Sequence, residues 1–169
     1  TTGAMHEDGL ADTADGFWGG FDPARRLEIM KDSRIGTYGV LALGLGVGLR
    51  WMALSATLAV GVGPMVAAAV LSRGLLPALM AWMPQARRTG LSHQVGQPSQ
   101  SVALAALGLA VLLALVVAGW GVIWALVLAA LAVGGLAALA RAKVGGQTGD
   151  VLGAAQQVAE LVILLALVP

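Results

Sequence analysis

The sequence predicts an all-α polytopic membrane bundle, a single domain of about five transmembrane helices preceded by two short cytoplasmic or interfacial helices. Three observations lead there. Hydrophobic residues make up 58% of the 169 residues and charged residues only 11%, against about 25% charged in a soluble domain. The mean hydropathy is +0.84. Charge is also segregated, because seven of the nine acidic residues fall between Glu7 and Asp32 while residues 102–140 carry no charge at all. The absence of cysteine excludes disulfides, thiolate metal sites and cysteine nucleophiles. Basic residues balanced by acidic ones argue against nucleic-acid binding.

Residues 1–36 are polar with short apolar interruptions, and two short helices are expected near His6–Phe17 and Ala24–Asp32. The Gly19-Gly20 and Pro23 stretch separates them, with Asp22 as the cap and Pro23 in the opening turn of the second. Residues 37–83 would extend roughly 70 Å as one helix. A hydrocarbon core is only about 30 Å thick, so two spans are expected, with the break near Ser55–Leu58. Residues 84–100 read as a polar loop. Residues 101–140 again need two spans, turned at Gly119-Trp120-Gly121. Residues 141–150 form a second, glycine-rich loop, and 151–168 the last span. Span counting puts the N-terminal motif and both loops on one side. That side carries eight of the ten basic residues, so it is expected to face the cytoplasm.

The acidic motif His6-Glu7-Asp8-Gly9-Leu10-Ala11-Asp12-Thr13-Ala14-Asp15-Gly16 carries the sharpest chemistry. Asp8, Asp12 and Asp15 stand at i, i+4 and i+7, on one helix face. Three carboxylates so stacked repel one another, and a divalent cation removes the repulsion. Oxygen-only ligands favour a hard ion such as Mg²⁺, which bridges carboxylates and substrate phosphates. The alternative is a solvated acidic helix at the membrane surface. In the second cluster, Leu27 to Gly36, Lys31 and Arg34 are i, i+3 neighbours suited to diphosphate oxygens, or else interfacial basic residues. Arg73 lies inside an apolar span and is read as a phosphate contact, with a structural role as the alternative. Arg50, near the far end of its span, is expected to snorkel to the opposite interface. Arg87 reads as a phosphate contact or a topology anchor. In Lys143 to Asp150, the glycines let backbone approach a ligand, with Gln147 and Thr148 as candidate contacts. Asp150 either caps the last helix or adds a ligand. Glu160, deep in that helix, needs a partner, and Arg73 is the candidate. His6 beside the acidic motif is a candidate proton shuttle.

These motifs together resemble one family. H-x-D-G-L-A-D-T-x-D-G over His6–Gly16 and L-E-I-M-K-D-S-R-x-G over Leu27–Gly36 look like cobalamin synthase, adenosylcobinamide-GDP ribazoletransferase. Ser72-Arg73, Pro84 to Arg87, and Gly145 to Asp150 with Gly153-Ala154 resemble its later blocks. Family members carry further N-terminal membrane sequence, so upstream sequence is expected to be missing here. The resemblance implies a multi-pass enzyme of the bacterial inner membrane that uses Mg²⁺. It would join adenosylcobinamide-GDP to α-ribazole or its 5′-phosphate and release GMP, with other cobalamin nucleotide-loop enzymes as candidate partners.

The expected division of labour follows. Asp8, Asp12 and Asp15 hold the metal. Lys31, Arg34, Arg73, Arg87, Gln147 and Thr148 bind substrate. Asp32, Asp150 or His6 accepts the proton of the attacking hydroxyl. The competing assignment is a CDP-alcohol phosphotransferase. Its D-G-x-x-A-R pattern is not met, because Asp12 stands where Ala-Arg should follow. A transporter would place its acidic residues mid-span, and here they precede the spans.

Overall fold

The computed structural model describes residues 3–168, and among these the chain is all-α. Eight helices follow one another: α1 (Met5–Gly19), α2 (Pro23–Ile29), α3 (Thr37–Leu58), α4 (Gly63–Trp82), α5 (Leu91–Val95), α6 (Gln100–Ala118), α7 (Gly121–Val144) and α8 (Gly149–Ala166). Five of them, α3, α4, α6, α7 and α8, are long and apolar enough to cross a membrane. The fold is therefore that of a multi-pass membrane protein. The expected caps are present at α2, where Asp22 Oδ1 accepts the Arg25 N–H at 3.0 Å and Pro23 opens the helix. The break between the first two spans falls at 59–62, slightly later than the sequence suggested.

Small residues dominate the core. Ala67, Ala68, Ala103, Ala110, Ala114, Ala125, Ala129, Ala155 and Ala159 are all buried at the helix contacts. Between lipid-embedded helices there is little hydrophobic driving force, so close backbone approach and dispersion hold the bundle. Leu71, Ile163 and Leu164 are buried among the alanines, while many other large apolar side chains point outward, among them Leu41, Leu45, Leu104, Val116 and Leu131. Exposed Trp82 and Trp120 sit at helix ends, where indoles favour the membrane interface.

Helix α1 is more than a surface element. It runs antiparallel to α3: Asp15 sits at Gly36 and Gly39, Leu10 beside Gly46, and Glu7 at Arg50. Its other flank packs along the start of α8. A Cβ on Gly9 would stand 2.8 Å from the Asp150 carbonyl oxygen, and one on Gly153 would stand 3.3 Å from His6 Cα. Glycine at both positions is what lets the two backbones touch.

Arg50 departs from expectation. Instead of snorkelling outward, its side chain is only 20% exposed and pairs with Glu7 at 3.2 Å and Glu160 at 3.5 Å. Two anions held inside the bundle offer it more than the far interface does. Glu160 does meet Arg73, at 3.2 Å.

Candidate active site at the convergence of three segments

The loop after α4 and the loop before α8 are tied to each other by backbone. Gln147 N–H donates to the Pro84 carbonyl at 2.8 Å, and Ala86 N–H donates to the Gln147 carbonyl at 2.9 Å. The Gln147 side chain is wholly buried and donates to the Met80 and Met83 carbonyls at 3.0 and 2.8 Å. It thereby satisfies carbonyls that the end of α4 leaves free. The N-terminal motif joins the same end of the bundle through cations. Lys143 Nζ donates to the Phe17 carbonyl at 3.0 Å and lies 4.0 Å above the Trp18 ring, while Arg26 donates to the Lys143 carbonyl at 3.0 Å. The three polar segments converge, as span counting required.

Between them lies a cavity of about 420 Å³ lined by His6 and Asp8 of α1, Leu76 and Met80 of α4, Gln85, Arg87, Thr89 and Ser92 of the first loop, and Gln147, Thr148 and Asp150 of the second. That volume is within the range of small-molecule sites. Its charged wall is an ion pair, Arg87 to Asp150 at 3.1 Å. Thr148, not Asp150, caps α8 by accepting the Val151 N–H at 3.2 Å. That leaves the Asp150 carboxylate for Arg87 and for a 3.3 Å bond from the Thr148 hydroxyl. Arg87 Nε is buried with no hydrogen-bond partner among the described residues. A buried unmatched guanidinium N–H is costly unless something else accepts from it. Gln85 and Ser92, which the sequence did not single out, exchange bonds of 2.9 and 3.1 Å that hold the loop around the cavity.

The three aspartates of α1 have different surroundings. Asp8 lines the cavity. Asp12 is pushed up to about 7 by burial and by the neighbouring charges of Asp8, Asp150 and Asp15, against a smaller opposing pull from Arg87. Asp15 is buried and accepts the Gly36 N–H at 2.7 Å and the Gly39 N–H at 2.9 Å. It therefore fastens the start of α3, a role the helical spacing did not foretell. Among the described residues no three His, Asp or Glu side chains form a group able to hold a metal on their own.

The second motif is not brought into this cavity. Asp32 and Arg34 border a separate pocket of about 430 Å³ with Asp15, Ile35, Thr37 and Tyr38. Arg34 donates to both Asp32 oxygens, at 3.1 and 2.7 Å, and this holds the Asp32 carboxyl down at about 2. Lys31 is exposed. Arg73 sits on the α4 face that carries Leu76 and Met80, one and two turns below the cavity wall.

The comparisons with known proteins bear on this arrangement. Residues 1–168 match the family described as cobalamin-5-phosphate synthase. The chain is 51% identical over 172 residues to the adenosylcobinamide-GDP ribazoletransferase of Bradyrhizobium diazoefficiens, covering 97% of this chain and 64% of that protein. It is 45% identical over 166 residues to the Mesorhizobium japonicum protein of the same name, again covering 97% and 64%. It is 48% identical over 177 residues to the Rhizobium meliloti one, covering 98% and 68%. It thus spans about 64% of the length of the first two relatives. No solved structure matches. On the match that runs from residue 1 to residue 168, the chain belongs to the cobalamin-5-phosphate synthase family.

Proposed function

We propose that this protein joins adenosylcobinamide-GDP to α-ribazole or its 5′-phosphate and releases GMP, at a site facing the cytoplasm of a bacterial inner membrane. The observation that carries the reading is the cavity in which Asp8, Arg87 and Asp150 meet from three separate segments, together with relatives named for that reaction.

In the proposed step a ribose hydroxyl oxygen of the ribazole attacks the phosphorus nearer the cobinamide. The new P–O bond forms as the bond to the bridging oxygen breaks, and GMP leaves with that oxygen. Arg87 faces the diphosphate, its unmatched Nε–H donating to a phosphate oxygen. Asp150 orients Arg87 through their ion pair. His6 receives the hydroxyl proton. Of the three candidate bases, His6 and Asp150 line the cavity, and Asp150 is committed to Arg87 and Thr148. Asp32 lies on the other pocket and is held ionised at about 2, too weak a base for the task. Arg34 and Lys31 act as outer anion contacts, since an exposed pair such as Asp32–Arg34 is readily given up for a phosphate. Gln147 and Thr148 contribute by shaping the loop.

The residues fit Mg²⁺ in one particular way. Asp12 is crowded by Asp8 and Asp150, yet no all-protein ligand cage forms. Mg²⁺ is commonly held by one or two carboxylates with substrate phosphates completing its shell. Asp8 and Asp12 would hold it, with Asp15 committed to α3. When bound it neutralises charge on the diphosphate. The test is GMP release from adenosylcobinamide-GDP and ribazole phosphate by the full-length protein in membranes, with and without Mg²⁺. Release that depends on both substrates is expected, and no release under either condition overturns the assignment.

A further inference from the structure

A second polar constellation lies deeper in the bundle, among the apolar spans. Glu7 of α1 meets Arg50 of α3 at 3.2 Å, and Arg50 also reaches Glu160 of α8 at 3.5 Å. Glu160 continues to Arg73 of α4 at 3.2 Å. Amides fill the gaps: Gln157 donates to Glu7 at 3.2 Å and to Gln156 at 2.9 Å, Gln156 donates to Ser72 at 3.2 Å and also to Glu160, and Arg50 donates to Gln157. Two carboxylates face two guanidiniums, so the network is formally neutral. It links four helices whose other contacts are mostly small and apolar, the Asp15 bonds to Gly36 and Gly39 apart.

Glu7 Oε2 and Arg50 Nε are buried with no hydrogen-bond partner among the described residues, so the network is costly as well as neutral, and the best-attested use of such a device is to specify register. Its position supplies the reason for one here. Glu7 stands between His6 and Asp8, which both line the cavity, while its own carboxylate points the other way into the network. The contact of Gly9 with α8 brings the backbones close but supplies no directional bond, and Asp15 fastens only the far end of α1. An α-helix turns by about 100° per residue, so a one-residue slip of α1 would carry Asp8 out of the cavity.

We infer that Arg50 and Glu160 are positioning residues: by holding Glu7 they fix the depth and rotation of α1, and so aim Asp8 and His6 at the reacting groups. The effect on rate rests on the function proposed above, while the register lock does not. Because the chain has no cysteine, register can be read directly. Gly46 lies against Leu10, with a Cβ at position 46 standing 3.5 Å from the leucine methyl. A Leu10→Cys/Gly46→Cys pair in the full-length protein in membranes should therefore join readily with a short thiol cross-linker.

Added to that pair, Arg50→Gln should lower the cross-link several-fold. In the cysteine-free protein it should reduce kcat on the order of 100-fold with little change in KM, the cost expected of a 1 Å misplacement. Glu7→Gln/Arg50→Gln removes both ends of the lock and should lower the cross-link and kcat about as far as Arg50→Gln alone. Arg50→Lys keeps the charge and should hold both within about tenfold, which separates register from misfolding. A cross-link that stays unchanged in Arg50→Gln overturns the lock, as does a double variant that recovers the parent cross-link. If the cross-link falls as expected but the parent protein releases no GMP, the lock stands and the reaction assignment fails.

Discussion

The cavity between the loops and the pocket beside residues 27–36 are both charged and both lie at the same end of the bundle, yet they handle charge in opposite ways. In the pocket, Asp32 and Arg34 neutralise each other two residues apart, and the Asp32 carboxyl falls to about 2. Beside the cavity, burial and the charges of Asp8, Asp150 and Asp15 push the Asp12 carboxyl up to about 7, and the Arg87 Nε–H is left unmatched. One region is electrostatically finished in the free protein. The other carries a surplus of negative charge beside an unfilled donor, which the proposed cation and anionic substrate would complete. A charge cluster is therefore informative about chemistry to the degree that it is unsatisfied.

The largest expected effect tests the unsatisfied side. Asp12→Asn should lower kcat on the order of 100- to 1,000-fold or more, the scale of losing one charge-stabilising group, with expression and membrane insertion unchanged. Ordinary turnover in that variant would remove the metal reading altogether. Gly9→Ala should come next. Its methyl would press on the Asp150 backbone at 2.8 Å, so about 1–3 kcal/mol of stability should be lost, and kcat should fall with it as α1 moves off α8. The reading is thermal unfolding in detergent beside the GMP assay. An alanine variant equal to the parent in both would mean that α1 and α8 are not in contact.

The raised Asp12 carboxyl also sets a pH dependence. The folded state keeps this proton up to about 7, whereas the unfolded chain releases it near the usual carboxylate value of about 3.9. Between those values the folded state binds more protons, so stability falls as pH rises and then levels above 7. Mg²⁺ should therefore raise the unfolding temperature at pH 8 and do little at pH 5, and Asp12→Asn should flatten both responses. A Mg²⁺ response of equal size at the two pH values would place the ion elsewhere.

Much of this was legible in the sequence. Hydropathy and span counting located the five spans and brought three polar segments to one end, because helix length and membrane thickness leave little freedom. The Asp8, Asp12 and Asp15 spacing was also visible, but periodicity says which residues share a face and not what that face meets. Asp15 was read with its neighbours, yet it fastens Gly36 and Gly39, a contact between segments 21 residues apart or more that no local pattern encodes. The partner of Arg50 is hidden from the sequence for a similar reason. The depth of Arg50 along α3 allowed an escape to the far interface, and only the placement of α1 supplies Glu7 as a partner.

The smallest expected effect discriminates most sharply between the two regions. Asp32→Asn removes one side of an exposed pair and leaves the Arg34 guanidinium free, so the pocket should gain positive charge and KM for the diphosphate substrate should hold or fall slightly. kcat should stay within about tenfold, because a base held at about 2 accepts protons poorly near neutrality. The plateau of the pH–rate profile should not move. A loss of about 10²–10⁴-fold in kcat, the usual cost of removing a general base, would mean that residues 27–36 fold over the cavity when substrate binds. The two regions would then be halves of one site, and the self-neutralised pair would be its resting form.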